Sequence, residues 1–428
     1  MVCDATAPGL KDKLVSLRRA AFCDTDEFPD VLGICRRDRE ALPENIYPPG
    51  KISMSSLRSP KGKKSLCCAA QWHGDCIAKL SSRGVPAPVI RRCNMEVLVA
   101  DWLAGSYMGR KAVSKGKPGA SHLLNKAIQG DYHYVYGPYA KPVLTIAPGD
   151  MVVAETEDAF GGAIRTESDL PSQKLRMPYV NPQCGPIAVT GAEPGDVLCV
   201  FIHSIKPRGP QPVGTSALIP EFGGLVSNSQ TAMLNPPLPE RVMKYEVTEQ
   251  GVRFNDRITL PYEPFVGTLG VSPLIEAVLS LQPDYWGGNM DLPDVAPGAV
   301  VYSPVLHKDA YLYLGDCHGR QGDGELCGVA VEMPSTTTIQ VDLIKNWQIS
   351  WPRLETEELI MTIGSARPME DAARIAYREL TRWLAADYGF DELEAYFLLT
   401  QAGRMRVGNM VDPKYTLGAS IKKSYLGR

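Results

Sequence analysis

From His133 onward the chain is a succession of short apolar runs, many of them β-branched, punctuated by proline and glycine. Val143-Leu144-Thr145-Ile146, Met151-Val152-Val153-Ala154, Ile187-Ala188-Val189, Val197 to Ile202, Thr338 to Val341 and Leu359 to Ile363 are the clearest of them. Runs of this length and composition suit the strands of a β-sandwich or barrel. Pro-Gly precedes such a run at Pro148-Gly149-Asp150, Pro194-Gly195-Asp196 and Pro297-Gly298-Ala299, so one kind of turn is expected to open a strand three times. The exceptions lie near the C-terminus. Met369 to Tyr388 spaces Ala372, Ile375, Ala376, Leu380, Trp383 and Leu384 at helical intervals, and Glu392 to Gln401 reads as a second helix stopped by Gly403. Both are expected to be packing elements.

The 428 residues allow two or three domains or one elaborated β-rich domain. A content of 44% hydrophobic and 22% charged residues excludes a long disordered or fibrous chain. The near-neutral net charge of −3 gives no support to nucleic-acid binding, which needs a concentrated basic surface, so nucleic acid is not an expected partner. No apolar stretch approaches the roughly 18 residues of a membrane span. Met1 to Ala20 carries scattered charges instead of the apolar core of an export signal, and the expected address is cytoplasmic. Eleven cysteines without a CxxC pair are expected to be reduced, and Cys67-Cys68 lacks partners at zinc-ligand spacing.

Charge divides the chain near residue 130. Residues 1–130 carry 21 Lys and Arg against 12 Asp and Glu, and seven of the eleven cysteines, whereas the remainder is acidic. Only Leu10 to Phe22 and Asn94 to Ala104 show helical spacing there, so residues 1–130 read as a poorly patterned basic extension. The catalytic region is placed at 131–415 and a tail at 416–428.

The densest chemistry lies in Gly315-Asp316-Cys317-His318-Gly319-Arg320-Gln321-Gly322-Asp323-Gly324-Glu325. So many ionisable groups among glycines predict a loop rather than a core strand, held between strands at Ala310 to Leu314 and Leu326 to Glu332. Asp316 and His318 are two apart and share a face in extended chain, which suits them to grip one metal ion. Cys317 points the other way, which argues against a Cys–His nucleophilic pair there. A third ligand must come from elsewhere, with Asp158 first, since it follows a strand and precedes Gly161-Gly162, and His133 in reserve. Glu332 reads equally as a buried partner of the site or as an edge-strand residue. His203 reads as structural, and His307, beside Lys308 and Asp309, as a solvent-facing turn residue.

Several ordered segments carry a family resemblance: His133, Lys141 to Asp150, Glu155 to Asp158, Asn181-Pro182 with Gly185-Pro186-Ile187, Gly191 to Leu198, Gly287 to Asp291 and Gly315 to Glu332. Over about residues 131–415 the chain resembles the acetamidase/formamidase family of metal-associated amidases. The resemblance implies a mainly β fold, a jelly-roll-like sandwich joined to a smaller α+β part, in a homo-oligomer. It implies hydrolysis of a small linear amide to ammonia and a carboxylate, with lactams and indole-3-acetamide as further substrates of relatives. A Trp that family members often carry after the first His is replaced here by Tyr134 and Tyr136.

Amide hydrolysis needs a nucleophile active at neutral pH, a positive centre for the oxyanion and an acid for the leaving nitrogen. A divalent metal supplies the first two. The expected ion is zinc, with calcium or magnesium as alternatives. Its candidate ligands are Asp316, His318, Asp158 and His133. Glu325 is the candidate proton carrier, supported by Glu155. Asn289, Gln321 and Tyr136 are candidates to hold the substrate, and Tyr134, Phe160, Trp286 and Met290 to line its pocket. The competing reading is a noncatalytic β-sandwich binding protein whose acidic loop holds calcium.

Overall fold

A computed structural model describes residues 118–209, 213–225 and 238–427. The helices expected at Leu10 to Phe22 and Asn94 to Ala104 lie outside them. The described part is mainly β, with twenty strands and four α-helices.

The largest sheet has nine strands, in the order Ser121–Leu124, Met151–Thr156, Ser335–Ile344, Val197–Pro207, Val300–Pro304, Arg353–Glu355, Leu359–Ala366, Tyr415–Lys422 and Arg404–Asn409. A five-stranded sheet runs Gly287–Asn289, Phe265–Val271, Leu312–His318, Gln183–Val189 and Leu144–Ile146. Pairing is antiparallel within both, except for Ser121–Leu124 beside Met151–Thr156 and Leu144–Ile146 beside Gln183–Val189. Strands Ser121–Leu124 and Tyr415–Lys422 bring residues on both sides of the 131–415 region into the large sheet. A four-stranded sheet, Val213–Leu218, Arg241–Thr248, Gly251–Arg253 and Thr259–Leu260, stands beside the site described below.

One apolar core joins the two larger sheets. Val152, Ala154, Leu198, Val200, Val301, Ile339 and Val341 from the nine-stranded sheet cluster with Ile187, Val189, Leu269, Val271, Leu312 and Leu314 from the five-stranded one. A second core lies under the helix Met369–Tyr388, where Ala376, Leu380, Trp383 and Leu384 pack with Trp347, Ile360 and Ile421. The helix Glu392–Ala402 follows, with Asp391 accepting from the Leu393 and Glu394 amides as its N-cap. It differs from expectation in one respect: Ala395 and Leu399 are its buried residues, while Leu393, Tyr396 and Phe397 face solvent. No helix among the described residues is long and apolar enough to cross a membrane.

The three Pro-Gly turns are the same turn. Gly149, Gly195 and Gly298 have φ of 93°, 96° and 94°, and Asp150, Asp196 and Ala299 each donate an amide N–H to the carbonyl three residues back. Proline presets the first central position and glycine takes the positive φ of the second, which is a type II turn. In two of them the aspartate does more. Asp150 accepts from the amides of Ala147 (3.0 Å) and Ala120 (2.8 Å), tying the turn to the strand beside it. Asp196 accepts from the amides of Glu193 (2.8 Å) and Asn346 (3.0 Å).

A Cβ at Gly298 would meet no atom within 4 Å, so its replacement isolates the cost of the backbone conformation. Gly298→Ala is expected to lower the unfolding free energy by about 1–3 kcal/mol, read as a lower denaturant midpoint at constant m-value.

Candidate metal centre

The first half of the polar motif corrects the sequence expectation: Gly315, Asp316, Cys317 and His318 form the end of the buried strand Leu312–His318, in the middle of the five-stranded sheet. Polar residues sit in this strand because they face one another across a closed site, not water. The second flank is also different. Residues 326–331 are turns and irregular chain, and Glu332 alone makes bridges, to Thr215 and to His318. Alternation holds as expected at the motif itself, since Cys317 is buried in the apolar core while Asp316 and His318 face the site. Burial pushes the thiols of Cys317 and Cys184 up, against any thiolate role.

Asp316, His318 and Glu332 each aim one atom at a common point. His318 Nε2 lies 3.4 Å from Asp316 Oδ1 and 3.1 Å from Glu332 Oε2. Their remaining polar atoms are already engaged. Asp316 Oδ2 accepts from Asn181 Nδ2 at 2.9 Å and lies 3.0 Å from the Thr268 hydroxyl, whose single proton is shared between it and Asn289 Oδ1. Glu332 Oε1 accepts from the Ala330 amide at 2.9 Å. Gln321 Nε2 donates to the carbonyls of Asp291 (2.8 Å) and Gly408 (2.9 Å), which leaves its Oε1 to face His318 Nδ1 at 3.0 Å. That network assigns a proton to Nδ1 and leaves Nε2 facing the two carboxylates, as a lone pair in the neutral ring and as an N–H in the protonated one.

An imidazole lone pair facing two carboxylate oxygens out of water is repulsive unless a cation or a proton lies between them. Neither Asp316 Oδ1 nor Glu332 Oε2 accepts a hydrogen bond, and both are buried. The residues therefore fit a divalent ion, with one nitrogen and two oxygens as donors.

A second group overlaps the first through His318: Asp291, His318 and Glu325 also place one donor each within 4.8 Å of one another. Asp291 Oδ1 is buried without a hydrogen bond, while Asp291 Oδ2 is 3.5 Å from Asn409 Nδ2. Asp412 completes this side, accepting from Asn289 Nδ2 at 2.8 Å. Asp291, Asp316, His318, Glu332 and Asp412 each expose no more than 2% of their surface.

Their charges follow from that burial. Burial lifts Asp291 and Glu325 well above the usual carboxylate range, and the negative charge of Asp412 adds to both. Burial carries Glu332 up to about 7 against the pull of His318, and Asp412 up to about 7 against its hydrogen bonds. Asp316 goes the other way: burial opposes its ionisation, but His318 and the hydrogen bonds around it outweigh burial and hold it low. For His318, burial favours the neutral ring, and Glu332 and Asp316 more than reverse that.

The backbone is bent to make these approaches. Of nine described non-glycine residues with positive φ, Asn181, Asp291, Asp316 and Glu325 belong to this site. Such conformations cost energy and persist where surrounding structure imposes them. Gly267 supplies the room, since a Cβ there would come within 2.7 Å of Asp291 Oδ1 and 2.9 Å of Asp316 Oδ2.

Other expected site residues lie elsewhere. Asp158 is outside both groups, and its Oδ1 caps a turn by accepting from the amides of Phe160 (3.0 Å) and Gly162 (2.8 Å). The glycines that suggested a site serve that cap. His133 is also outside both groups, bridged to Gln183 and edge-on to the Tyr313 ring, and burial pulls its imidazole down. Glu155 sits on Met151–Thr156, opposite Thr336. Tyr136 is fully buried and donates to Gln183 Oε1 at 3.2 Å. Gln321 orients His318 with all its amide atoms engaged, whereas Asn289 lines the cavity beside Asp316, Glu325, Glu332 and Asp412. Asp291, Asp412, Asn181, Thr268 and Asn409 carried no local signal, although Asn181 and Asp291 fall in segments of the resemblance.

The fold and the site define a mainly β protein that gathers acid and imidazole groups able to hold a metal ion in its interior. Residues 124–280 and 274–420 match the model of the Acetamidase/Formamidase family, and the chain belongs to that family. It is 26% identical over 265 residues to the formamidase of Methylophilus methylotrophus, covering 51% of this chain and 65% of that protein. It is 28% identical over 278 residues to the acetamidase of Mycolicibacterium smegmatis, covering 52% and 68%. The chain thus spans about two thirds of the length of these relatives. Among solved structures, the acetamidase from Yersinia enterocolitica is 55% identical, with a TM-score of 0.73 over 77% of this chain and 99% of that one. The acetamidase from Bacillus halodurans is 30% identical, with a TM-score of 0.65 over 71% and 98%.

Asp158→Ala is expected to destabilise the fold by about 1–2 kcal/mol through the loss of two backbone acceptor bonds, seen in chemical denaturation. A bound divalent ion lost in this variant, measured by elemental analysis of the folded protein, would return Asp158 to the ligand set.

Proposed function

We propose that this chain hydrolyses small linear amides, of formamide or acetamide size, to ammonia and a carboxylate. The observation that carries the reading is the convergence of His318 Nε2, Asp316 Oδ1 and Glu332 Oε2, with the other polar atoms of these residues engaged elsewhere. Asp316, His318 and Glu332 would hold a divalent ion, and when bound such an ion lowers the pKa of water to about 7 and polarises a carbonyl. One nitrogen with two oxygens favours zinc over magnesium, and a structural calcium would need six to eight oxygen ligands. That weighs against the noncatalytic calcium reading.

The remaining roles belong to the chain itself. Glu325 lines the same cavity beside His318 and is the residue that holds a proton and passes it to the departing nitrogen. Gln321 keeps the His318 tautomer fixed. Asn289 and Asp412 border the space where a carboxamide would lie, and Phe160, Val180, Ile219 and Leu281 close it with apolar surface that excludes water. This cavity measures about 50 Å³. A space this small, only a few times the roughly 10–15 Å³ that a single water needs, suits a substrate of formamide or acetamide size. The same volume weighs against indole-3-acetamide. A cytoplasmic address and homo-oligomeric assembly go with this reading, the latter checked by light scattering.

The test is ammonia release from formamide and acetamide by metal-loaded protein. Glu325→Gln is expected to reduce kcat about 10²–10⁴-fold, and Gln321→Leu to weaken metal retention about 10–100-fold. His318→Ala is expected to abolish both turnover and stoichiometric metal. Absence of ammonia release from any amide would sink the proposal, and release that survives both chelation and His318→Ala would sink its metal component.

A further inference from the structure

A second cavity adjoins the first. It measures about 450 Å³ and is walled largely by apolar side chains, among them Leu218, Tyr245, Phe254, Leu260 and Val331. Phe222, Glu325 and Val329 line both cavities, so these three side chains form the partition between them. One face of that partition looks onto the metal centre and the other onto an apolar space about nine times larger.

The partition is held firmly. A Cβ on Gly328 would come within 2.6 Å of two ring carbons of Phe222, so the ring lies directly against the backbone of the 326–328 turn. Gly223 approaches the Cys327 carbonyl just as closely, where a Cβ would stand 2.8 Å away, and the Gly224 amide donates to the Leu326 carbonyl at 2.8 Å. Two segments thus meet backbone to backbone, which leaves Phe222 no room to swing toward the turn. Val329 is buried from the other side in a cluster with Phe160, Ile164, Ala217 and Val242.

We propose that Phe222, with Val329, sets the upper size limit on the acyl group of the substrate, and that the space behind them accepts a longer unbranched or aromatic acyl chain once this wall is cut back. The inference rests on the amide-hydrolase reading and deepens it. A small acyl group fits on the metal-centre side, whereas a chain of five or six carbons collides with the Phe222 ring. Beyond the ring, the lining of the larger cavity is apolar enough to favour such a chain.

The experiment compares kcat/KM for hexanamide and acetamide in the metal-loaded wild type, Phe222→Ala and Val329→Ala, with circular dichroism of each. Wild type is expected to favour acetamide strongly. The hexanamide-to-acetamide ratio is expected to rise at least about tenfold in Phe222→Ala, the scale on which an apolar pocket discriminates one methylene, and by less in Val329→Ala. A ratio unchanged in the folded variants overturns the wall, as does a wild type that takes both substrates equally. If Phe222→Ala does not fold, Phe222→Leu and Val329→Ala are judged by the same ratio. A wild type that releases no ammonia even from acetamide overturns the amide reading and this proposal with it, an outcome distinct from acetamide turnover with an unmoved ratio.

Discussion

Five carboxyl groups and one imidazole share a site that water barely reaches, and the cost of burying that charge governs its surroundings. An isolated carboxylate pays several kcal/mol to leave water, so Asp291, Asp316, Glu325, Glu332 and Asp412 must be protonated, hydrogen-bonded or matched by positive charge. The structure divides these solutions by position. His318 and the hydrogen bonds around Asp316 favour its ionised form, burial pushes Asp291 and Glu325 strongly toward protonation, and burial carries Glu332 and Asp412 up to about 7. On the reading proposed above, a divalent ion would be balanced by two carboxylates and a neutral imidazole, while protonated carboxyls nearby would keep the total from becoming more negative. Environment alone would then separate a proton carrier from metal ligands within one cluster of acids.

Such a cluster could not survive on a yielding scaffold. Asp316 and His318 come from a strand paired on both sides, Thr268 comes from the strand beside it, and Asn289 from the next strand in the same sheet. Asn181, Gln321 and the Ala330 amide then fix every donor and acceptor not aimed at the centre. Left-handed backbone at four site residues shows the direction of the compromise: chain geometry is distorted so that side chains converge. The two large hydrophobic cores supply the stability against which that distortion is sustained.

What could be read in advance was what is local. Pro-Gly turns announce themselves within four residues, and the strands after them and the helix Met369–Tyr388 lie close to where periodicity places them. The pairing of Asp316 with His318, and the exclusion of Cys317, followed from the two-residue repeat of extended chain. Two local patterns mislead for one reason: polarity ordinarily marks solvent, so a buried strand of polar residues reads as a loop, and the two glycines after Asp158 read as site architecture although they serve a turn. Asp291 and Asp412 follow the ends of strands and meet the site only through the fold, and no local pattern marks them, whereas the sequence leaves Glu332 open between a buried partner of the site and an edge-strand residue.

The position of Asp412 has a consequence for biosynthesis. It lies in the turn between the strands Arg404–Asn409 and Tyr415–Lys422, and the residues it joins begin at Asn181. During translation Asp316, His318 and Glu332 emerge before Asp412, so the acidic cluster is brought together only when the hairpin of Arg404–Asn409 and Tyr415–Lys422 has formed.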